Sequence, residues 1–442
     1  MLEQILKILE NHNVFLTGGA GVGKTHLTQA VIKHYKTNGK NVIKLGSTGI
    51  SAVNIGGVSI HSFFKFGICS NFAELASYDK RQKSNITKLA EIIKIANLII
   101  IDEISMVSGD LLEMIAYRLR TLKFQGKLLL VGDFYQLPPV YKKDEATLFD
   151  YTYAFNSDAW KSFELKNIEL KISKRTKDMK FYEILKSLRL GEINQNVNDY
   201  INSLRIKEYE LDENVTMLFG RNVDADNINQ IMLDRLDTPL EISNAELNII
   251  DEATQKNGLQ NIQNWLNSLN SQDELKIKVG AKIIFVVNYA YMGYYNGEQG
   301  KIKEIIKEDD KCISVVIEKQ NGEIIQVGKH LFTYTKFVKD GDEINQQILA
   351  TFSQFPFKLA YAITIHKSQG MSINNLVCNL NQIFANGQLY VALSRATNPE
   401  NLKLFYNKRK NFSDYLKSVV KIDDKVKKFY NESKFENFKE IW

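Results

Sequence analysis

The stretch Asn13-Val14-Phe15-Leu16-Thr17-Gly18-Gly19-Ala20-Gly21-Val22-Gly23-Lys24-Thr25 decides how the chain is read. Its apolar start is short enough for a strand buried on both faces. A glycine-rich turn follows, and residues 26–35 read as a helix. The turn fits GxxxxGK[ST] in the strand–turn–helix context that the motif requires. Glycines let backbone N–H groups approach phosphate oxygens, and the helix N-terminus adds partial positive charge. Gly19, Ala20, Gly21, Val22, Gly23 and His26 are therefore expected to line a nucleotide. Lys24 is expected to reach its β- and γ-phosphates, and the Thr25 hydroxyl to hold Mg²⁺.

Working outward, the first 150 residues alternate β and α. Residues 41–45, 98–101 and 127–131 are further short apolar runs. The alternation predicts a doubly wound parallel sheet, with ligands at the carboxyl ends of its strands. Two of those ends carry polar groups suited to the same chemistry. Asp102-Glu103 follows the run 98–101; Asp102 is expected to take Mg²⁺ through water, and Glu103 to act as general base on the attacking water. Gly132-Asp133-Phe134-Tyr135-Gln136-Leu137-Pro138-Pro139 follows the next run, which places Gln136 to sense the γ-phosphate.

Residues 67–90 break the rhythm and read as a small polar and aromatic insertion. A second α/β unit begins near 155, with a strand at 215–219. Between 276 and 350 the pattern turns to β, with turn chemistry at Asn296-Gly297 and Asn321-Gly322. Residues 360–365 return to a parallel-strand pattern. Only five prolines occur, so the adjacent Pro138-Pro139 marks local rigidity.

Composition excludes several classes. The chain has 442 residues, 44% of them apolar and 24% charged, as in an ordinary soluble domain. No run of about 18 apolar residues occurs, so no transmembrane helix is expected. The opening Met1-Leu2-Glu3-Gln4-Ile5-Leu6-Lys7 has an early acid and no apolar leader, which predicts a cytoplasmic protein. Three widely spaced cysteines, Cys69, Cys312 and Cys378, make neither a disulfide framework nor a zinc pair. The 57 Lys/Arg outnumber the 51 Asp/Glu, for a formal charge of +6, compatible with an acidic partner such as nucleic acid.

Taken in order, these segments resemble the superfamily-1 DNA helicases, and within them the petite-integration-frequency family, with the RecD and Dda helicases as cousins. The matching residues include Thr48-Gly49-Ile50-Ser51-Ala52-Val53-Asn54-Ile55-Gly56-Gly57-Val58-Ser59-Ile60-His61-Ser62-Phe63-Phe64 and Ile101-Asp102-Glu103-Ile104-Ser105-Met106. They continue through residues 132–140, Ala362-Ile363-Thr364-Ile365-His366-Lys367-Ser368-Gln369-Gly370 and Tyr390-Val391-Ala392-Leu393-Ser394-Arg395. The resemblance implies an α/β fold of two RecA-like P-loop parallel-sheet lobes with ATP between them. The first lobe is expected over 1–155, with a strand-splitting wedge at 67–90. The second is expected over 156–275 and 353–442, interrupted by a small β-barrel at 276–352.

The same resemblance assigns further roles. Arg175 and Arg395 become arginine fingers; the family commonly has Gln after the first of these, and Thr176 stands here instead. Gln369 and Gly370 line the nucleotide, and Gln4 is the adenine reader or else an exposed helix residue. Thr48, Gly49, His61, Ser62, Phe63, Phe64, Pro138, Pro139, Thr364, His366 and Lys367 meet single-stranded DNA, with at least one of the two Phe in the core. Tyr289, Tyr291, Tyr294 and Tyr295 are either stacking faces or barrel core. The implied activity is an ATP- and Mg²⁺-dependent DNA helicase, monomeric and travelling 5′ to 3′ on single-stranded, tailed or forked DNA. A translocase that remodels protein–DNA complexes would share these motifs, and a nucleotide-switched binding module would share the P-loop.

Overall fold

The computed structural model describes residues 1–67, 69, 72–139, 152–176, 178–251, 258–269 and 271–436. Val140, residues 68, 70 and 71 of the insertion and residues 437–442 lie outside them. The chain forms two compact units. Unit 1 comprises Met1–Lys174, Thr335–Ile348 and Asp423–Trp442; unit 2 comprises Arg175–Tyr334 and Leu349–Ile422. No helix among the described residues is long and apolar enough to cross a membrane.

Unit 1 is built on six strands: β1 (Val14–Gly18), β2 (Val42–Gly46), β3 (Val58–Ser59), β4 (Leu98–Asp102), β5 (Lys127–Val131) and β6 (Lys166–Leu170). All pair parallel, in the order β3-β2-β4-β5-β1-β6. Continuous apolar runs such as Val14-Phe15-Leu16 and Leu98-Ile99-Ile100-Ile101 suit a sheet covered on both faces, and these seven side chains are fully buried. Helices α1 (Leu2–Asn11) and α2 (Lys24–Thr37) cover one face. Leu27, Val31 and Ile32 of α2 recur at helical spacing and join Ile5 and Leu9 of α1 in one core with Leu16, Ile100 and Leu129.

The unit boundary lies beyond the expected 155. β6 pairs with β1 along its whole length, from Val14 opposite Lys166 to Gly18 opposite Leu170. That pairing fills the open edge of β1, so the chain stays in unit 1 until Lys174. The last residues, expected in the second lobe, also return to unit 1. The ring of Phe429, on the helix Asp424–Glu432, lies 4.4 Å from Phe155 and 5.6 Å from both Phe134 and Trp160.

The insertion is a helical pair, α5 (Phe72–Arg81) and α6 (Lys83–Ile95), following the short helices α3 (Gly49–Ile55) and α4 (Ile60–Phe64). One buried cation fixes it. Arg118, on α7 (Gly109–Thr121), donates to both Asp79 carboxylate oxygens at 2.5 Å and to the Phe64 carbonyl at 3.1 Å. A paired guanidinium tolerates burial; one left unpaired costs several kcal/mol, roughly 3–5.

Unit 2 holds a five-stranded parallel sheet ordered Ala362–Thr364, Thr216–Phe219, Leu376–Asn379, Leu402–Phe405, Arg205–Ile206. The β-rich stretch expected as a barrel contains an antiparallel sheet paired in the linear order Ile324–Gly328, Lys311–Lys319, Gln299–Glu308, Lys282–Phe285, Phe357–Leu359. The strands His330–Asp340 and Glu343–Gln354 do not join it. They pair with each other and, through the second, with Glu246–Ile249. Residues Thr335–Ile348 of that ribbon belong to unit 1, where the Asn41 side chain donates to the Asp342 carbonyl and accepts from the Ile344 N–H.

Candidate functional site

In unit 1 the loop Gly19–Gly23 joins β1 to α2. Gly18, Gly21 and Gly23 all have positive φ, at 141°, 75° and 93°. At Gly18 a side chain is excluded twice, because a Cβ would also lie 2.4 Å from the Leu170 carbonyl oxygen. Val22 is buried, whereas Thr25 and His26 are exposed at the start of the helix. The Lys24 ammonium donates to the Gly18 carbonyl at 2.7 Å and the Gly19 carbonyl at 2.9 Å. The loop therefore holds its cation within its own backbone, close to where an anion would sit.

The ends of β4 and β5 bring the other sequence-marked groups to the same sheet edge. Asp102 closes β4, and Glu103 follows in the left-handed region at φ 53°. A non-glycine residue held there stores about 1 kcal/mol or more of strain, a cost that clusters at functional sites. Burial first, and the Glu103 charge second, push the Asp102 carboxyl up to about 7; the Glu103 backbone N–H and the Lys24 charge oppose them. Two carboxylates so placed fit a divalent cation, whose charge would reverse the penalty on Asp102. Among the described residues no cluster of three or more His, Cys, Asp or Glu exists to cage a metal. Thr25, at the start of α2, and Asp102, at the end of β4, are the residues that could hold such a cation.

Gln136 follows β5 and is buried. Its Nε2 donates to Asp133 Oδ2 at 3.2 Å, and its backbone N–H donates to the Asp133 carbonyl at 2.9 Å. Asp133 itself was legible as part of the motif but not as an organiser. Pro139 is buried and Pro138 half-buried beyond it. Gln4, on α1, has a buried Oε1 without a hydrogen-bond partner. An orphaned amide oxygen fits a residue that reads a base.

In unit 2 both expected arginine fingers meet one loop. Arg175 donates to Ser372 Oγ at 3.1 Å, the Ser394 carbonyl at 2.9 Å and the Gly370 carbonyl at 3.3 Å. Arg395 is only 2% exposed and donates to the Val391 carbonyl, the Ser368 carbonyl and Ser394 Oγ. Ser394 thus takes one arginine on its carbonyl and the other on its hydroxyl. Gly370 adopts φ 80° with open space beside it, and the Gln369 Nε2 is buried without a partner. Thr176, in the position where Gln is common, accepts from the Asp178 N–H.

The DNA-facing expectations divide. Phe63 and Phe64 are 4% and 0% exposed, so neither offers a stacking face. Phe64 stacks on Phe66, and Phe63 packs edge-on against Phe337 of the ribbon. Thr48 caps α3, accepting from the Ser51 N–H in a reciprocal capping box, and Gly49 is its first residue. His61 is exposed and Ser62 half-buried. In unit 2, Thr364 is buried and accepts from the Lys367 N–H at 3.4 Å. His366 and Lys367 are half-buried, and the His366 ring lies 6.4 Å from exposed Phe384. The tyrosines split as well: Tyr294 is buried, stacked on Phe285 at 4.5 Å, whereas Tyr291 is 90% exposed, and Tyr289 and Tyr295 are also exposed.

Comparisons with known proteins point to one family. Residues 2–199 match the model of the PIF1-like helicases, and residues 274–427 match a second helicase model. The chain is 47% identical over 441 residues to the ATP-dependent DNA helicase Pif1 of Campylobacter jejuni, covering 98% of both chains. It is 31% identical over 431 residues to that of Bdellovibrio bacteriovorus, covering 95% of this chain and 88% of the relative. Among solved structures, the Pif1 of a Bacteroides species in complex with ADP-AlF4 superposes with a TM-score of 0.80 at 27% identity, covering 98% of this chain and 96% of that one. At 47% identity over nearly the whole of a curated Pif1 helicase, the chain belongs to the Pif1 family of ATP-dependent DNA helicases.

Proposed function

We propose that this ATP-dependent DNA helicase hydrolyses ATP at the β1–α2 loop and uses the cycle to move 5′ to 3′ on single-stranded DNA. The observation that carries this reading is the convergence of Lys24, Asp102, Glu103 and Gln136 at the carboxyl ends of three adjacent strands, β1, β4 and β5. Lys24 leaves the Gly18 and Gly19 carbonyls to take the β- and γ-phosphates. Glu103 accepts a proton from the attacking water, and Gln136 orients toward the γ-phosphate. Thr25 and Asp102 hold Mg²⁺, which when bound neutralises charge on the phosphates. Gln4, Gly370 and Gln369 line the nucleotide. Arg175 and Arg395 supply guanidinium charge to the transferring phosphoryl group, leaving the carbonyls that hold them here.

For DNA, we assign phosphate contacts to Thr48, Gly49, His61, Ser62, Pro138, Pro139, His366 and Lys367. Base stacking passes from Phe63 and Phe64 to exposed aromatics such as Tyr291 and Phe384. The α5–α6 pair, clamped by Arg118, is assigned as the wedge. Relatives were solved with single-stranded DNA and, in one case, with two coordinating Pif1 helicases at a fork; we assign this chain monomeric action.

The test is unwinding of duplexes bearing a 5′ or a 3′ single-stranded tail, with and without ATP and Mg²⁺. ATP-dependent separation of the 5′-tailed substrate alone is expected. Equal unwinding of both substrates overturns the polarity, and ATP turnover without strand separation overturns the fork-splitting role.

A further inference from the structure

Asp133 is fully buried, so its carboxylate must be satisfied by hydrogen bonds. One oxygen takes the Gln136 side chain. The other takes the Tyr135 N–H at 3.2 Å and the hydroxyl of Tyr430 at 3.4 Å. Tyr430 lies on the helix Asp424–Glu432, almost 300 residues further along the chain. The same hydroxyl accepts from the Phe134 N–H at 3.3 Å and lies 2.7 Å from Thr17 Oγ1. Thr17 is fully buried and immediately precedes Gly18, one of the two carbonyls that hold Lys24. With the Tyr430 proton given to Asp133, the Thr17 hydroxyl donates to Tyr430, and each hydrogen in the network has an acceptor. A single phenol oxygen therefore joins the strand that leads into the phosphate cradle to the loop that carries Gln136.

The ring is held independently of its hydroxyl. It stacks on Tyr135 at 4.4 Å and on Phe435 at 5.9 Å. Its neighbour Phe429 lies in the cluster with Phe15, Phe134, Phe155 and Trp160. Removing the hydroxyl alone leaves the packing, takes one donor from the Asp133 oxygen, which keeps the Tyr135 N–H, and deprives the Phe134 N–H and the Thr17 hydroxyl of their buried partner. The carboxylate is then held by one donor fewer and tied no longer to the β1 strand, so the Gln136 carboxamide it anchors is less firmly oriented.

We infer that Tyr430 is a positioning residue for ATP hydrolysis, fixing Gln136 through Asp133 and tying it to the P-loop strand. This rests on the γ-phosphate role assigned to Gln136. Loss of such an outer-shell partner costs 10- to 100-fold where it has been measured at metal sites, and a small misplacement of a reacting group costs as much.

The experiment is single-stranded-DNA-stimulated ATP hydrolysis by the full chain, with kcat and KM separated and the melting temperature followed in parallel. Wild type is compared with Tyr430→Phe, Gln136→Ala and the double variant. Tyr430→Phe is expected to lower kcat about tenfold or more, with KM for ATP and DNA affinity within about twofold. The double variant is expected to be no slower than Gln136→Ala alone, because both changes break one link. Three results overturn the inference: wild-type kcat in Tyr430→Phe, a lowered melting temperature with kcat intact, or multiplying losses in the double variant. Wild-type kcat in Gln136→Ala instead removes the role assigned to Gln136, and the inference with it. If Tyr430→Phe does not fold, Asp133→Asn interrogates the same link, with the same selective loss of kcat expected and an unchanged kcat overturning it.

Discussion

The strand ends of the two parallel sheets carry opposite charge and are compensated in opposite ways. In unit 1 the edge holds two adjacent carboxylates, one of them pushed up to about 7 by burial, beside a lysine folded onto its own loop. In unit 2 the loop at 368–372 holds two arginines, with burial lowering the Arg175 pKa. Carbonyls and hydroxyls of Ser368, Gly370, Ser372, Val391 and Ser394 accept from those guanidinium groups. Neutral oxygens satisfy the N–H groups of a cation without neutralising its charge. Asp102, for its part, sits where burial disfavours its ionisation.

The largest effect that can break this comparison is at Lys24. Lys24→Ala is expected to reduce ATP turnover by at least about 10³-fold while single-stranded-DNA affinity stays within a few-fold, read by ATPase assay and fluorescence anisotropy. Turnover near wild type would remove the unit 1 cradle from the chemistry. Next in size is Arg395. Arg395→Lys keeps the charge but loses the planar fork, and kcat is expected to fall roughly 10³-fold, at the lower end of what a missing arginine finger costs. A fall in melting temperature with kcat preserved would make this buried guanidinium a structural group.

The smallest effect concerns Asp102. Its folded pKa of about 7 lies above the unfolded value near 3.8. The group therefore adds stability fully below about pH 4, and that contribution is lost as pH rises through 7. Asp102→Asn, which cannot ionise, is expected to lose less stability than wild type between pH 5 and 8 when denatured without nucleotide. Parallel pH profiles for the two proteins would show that the carboxylate is not strained by its surroundings.

Much of this contrast was legible from residues alone, because each half of it is local. A glycine-rich turn, an acid pair and a Gly-Asp-Phe-Tyr-Gln loop each follow an apolar strand, and a parallel sheet puts all such ends on one edge. What escaped depends on distant partners. Phe63 and Phe64 look alike in sequence, and only Phe66, Phe337 and Arg118 around them make both core. The polar-looking strand Lys166–Leu170 gave no sign that it would complete the edge of β1. Asp79 sits in a charged run that reads as solvated, yet it neutralises a buried arginine 39 positions away. Tyr430 falls within residues 406–442, where ten Lys/Arg against six Asp/Glu suggest a solvent-facing helix.

That the first sheet recruits Phe429 and Tyr430 has a consequence for biosynthesis. Emerging from the ribosome, the amino-terminal sheet can pair its strands early, but Phe15, Phe134, Phe155 and Trp160 keep an open side until more than 250 further residues have been translated. The nascent chain must carry that aromatic surface through the synthesis of all of unit 2. An ATPase centre wired to the helix Asp424–Glu432 acquires those hydrogen bonds only after all of unit 2 has been translated, so a product truncated before that helix would lack them.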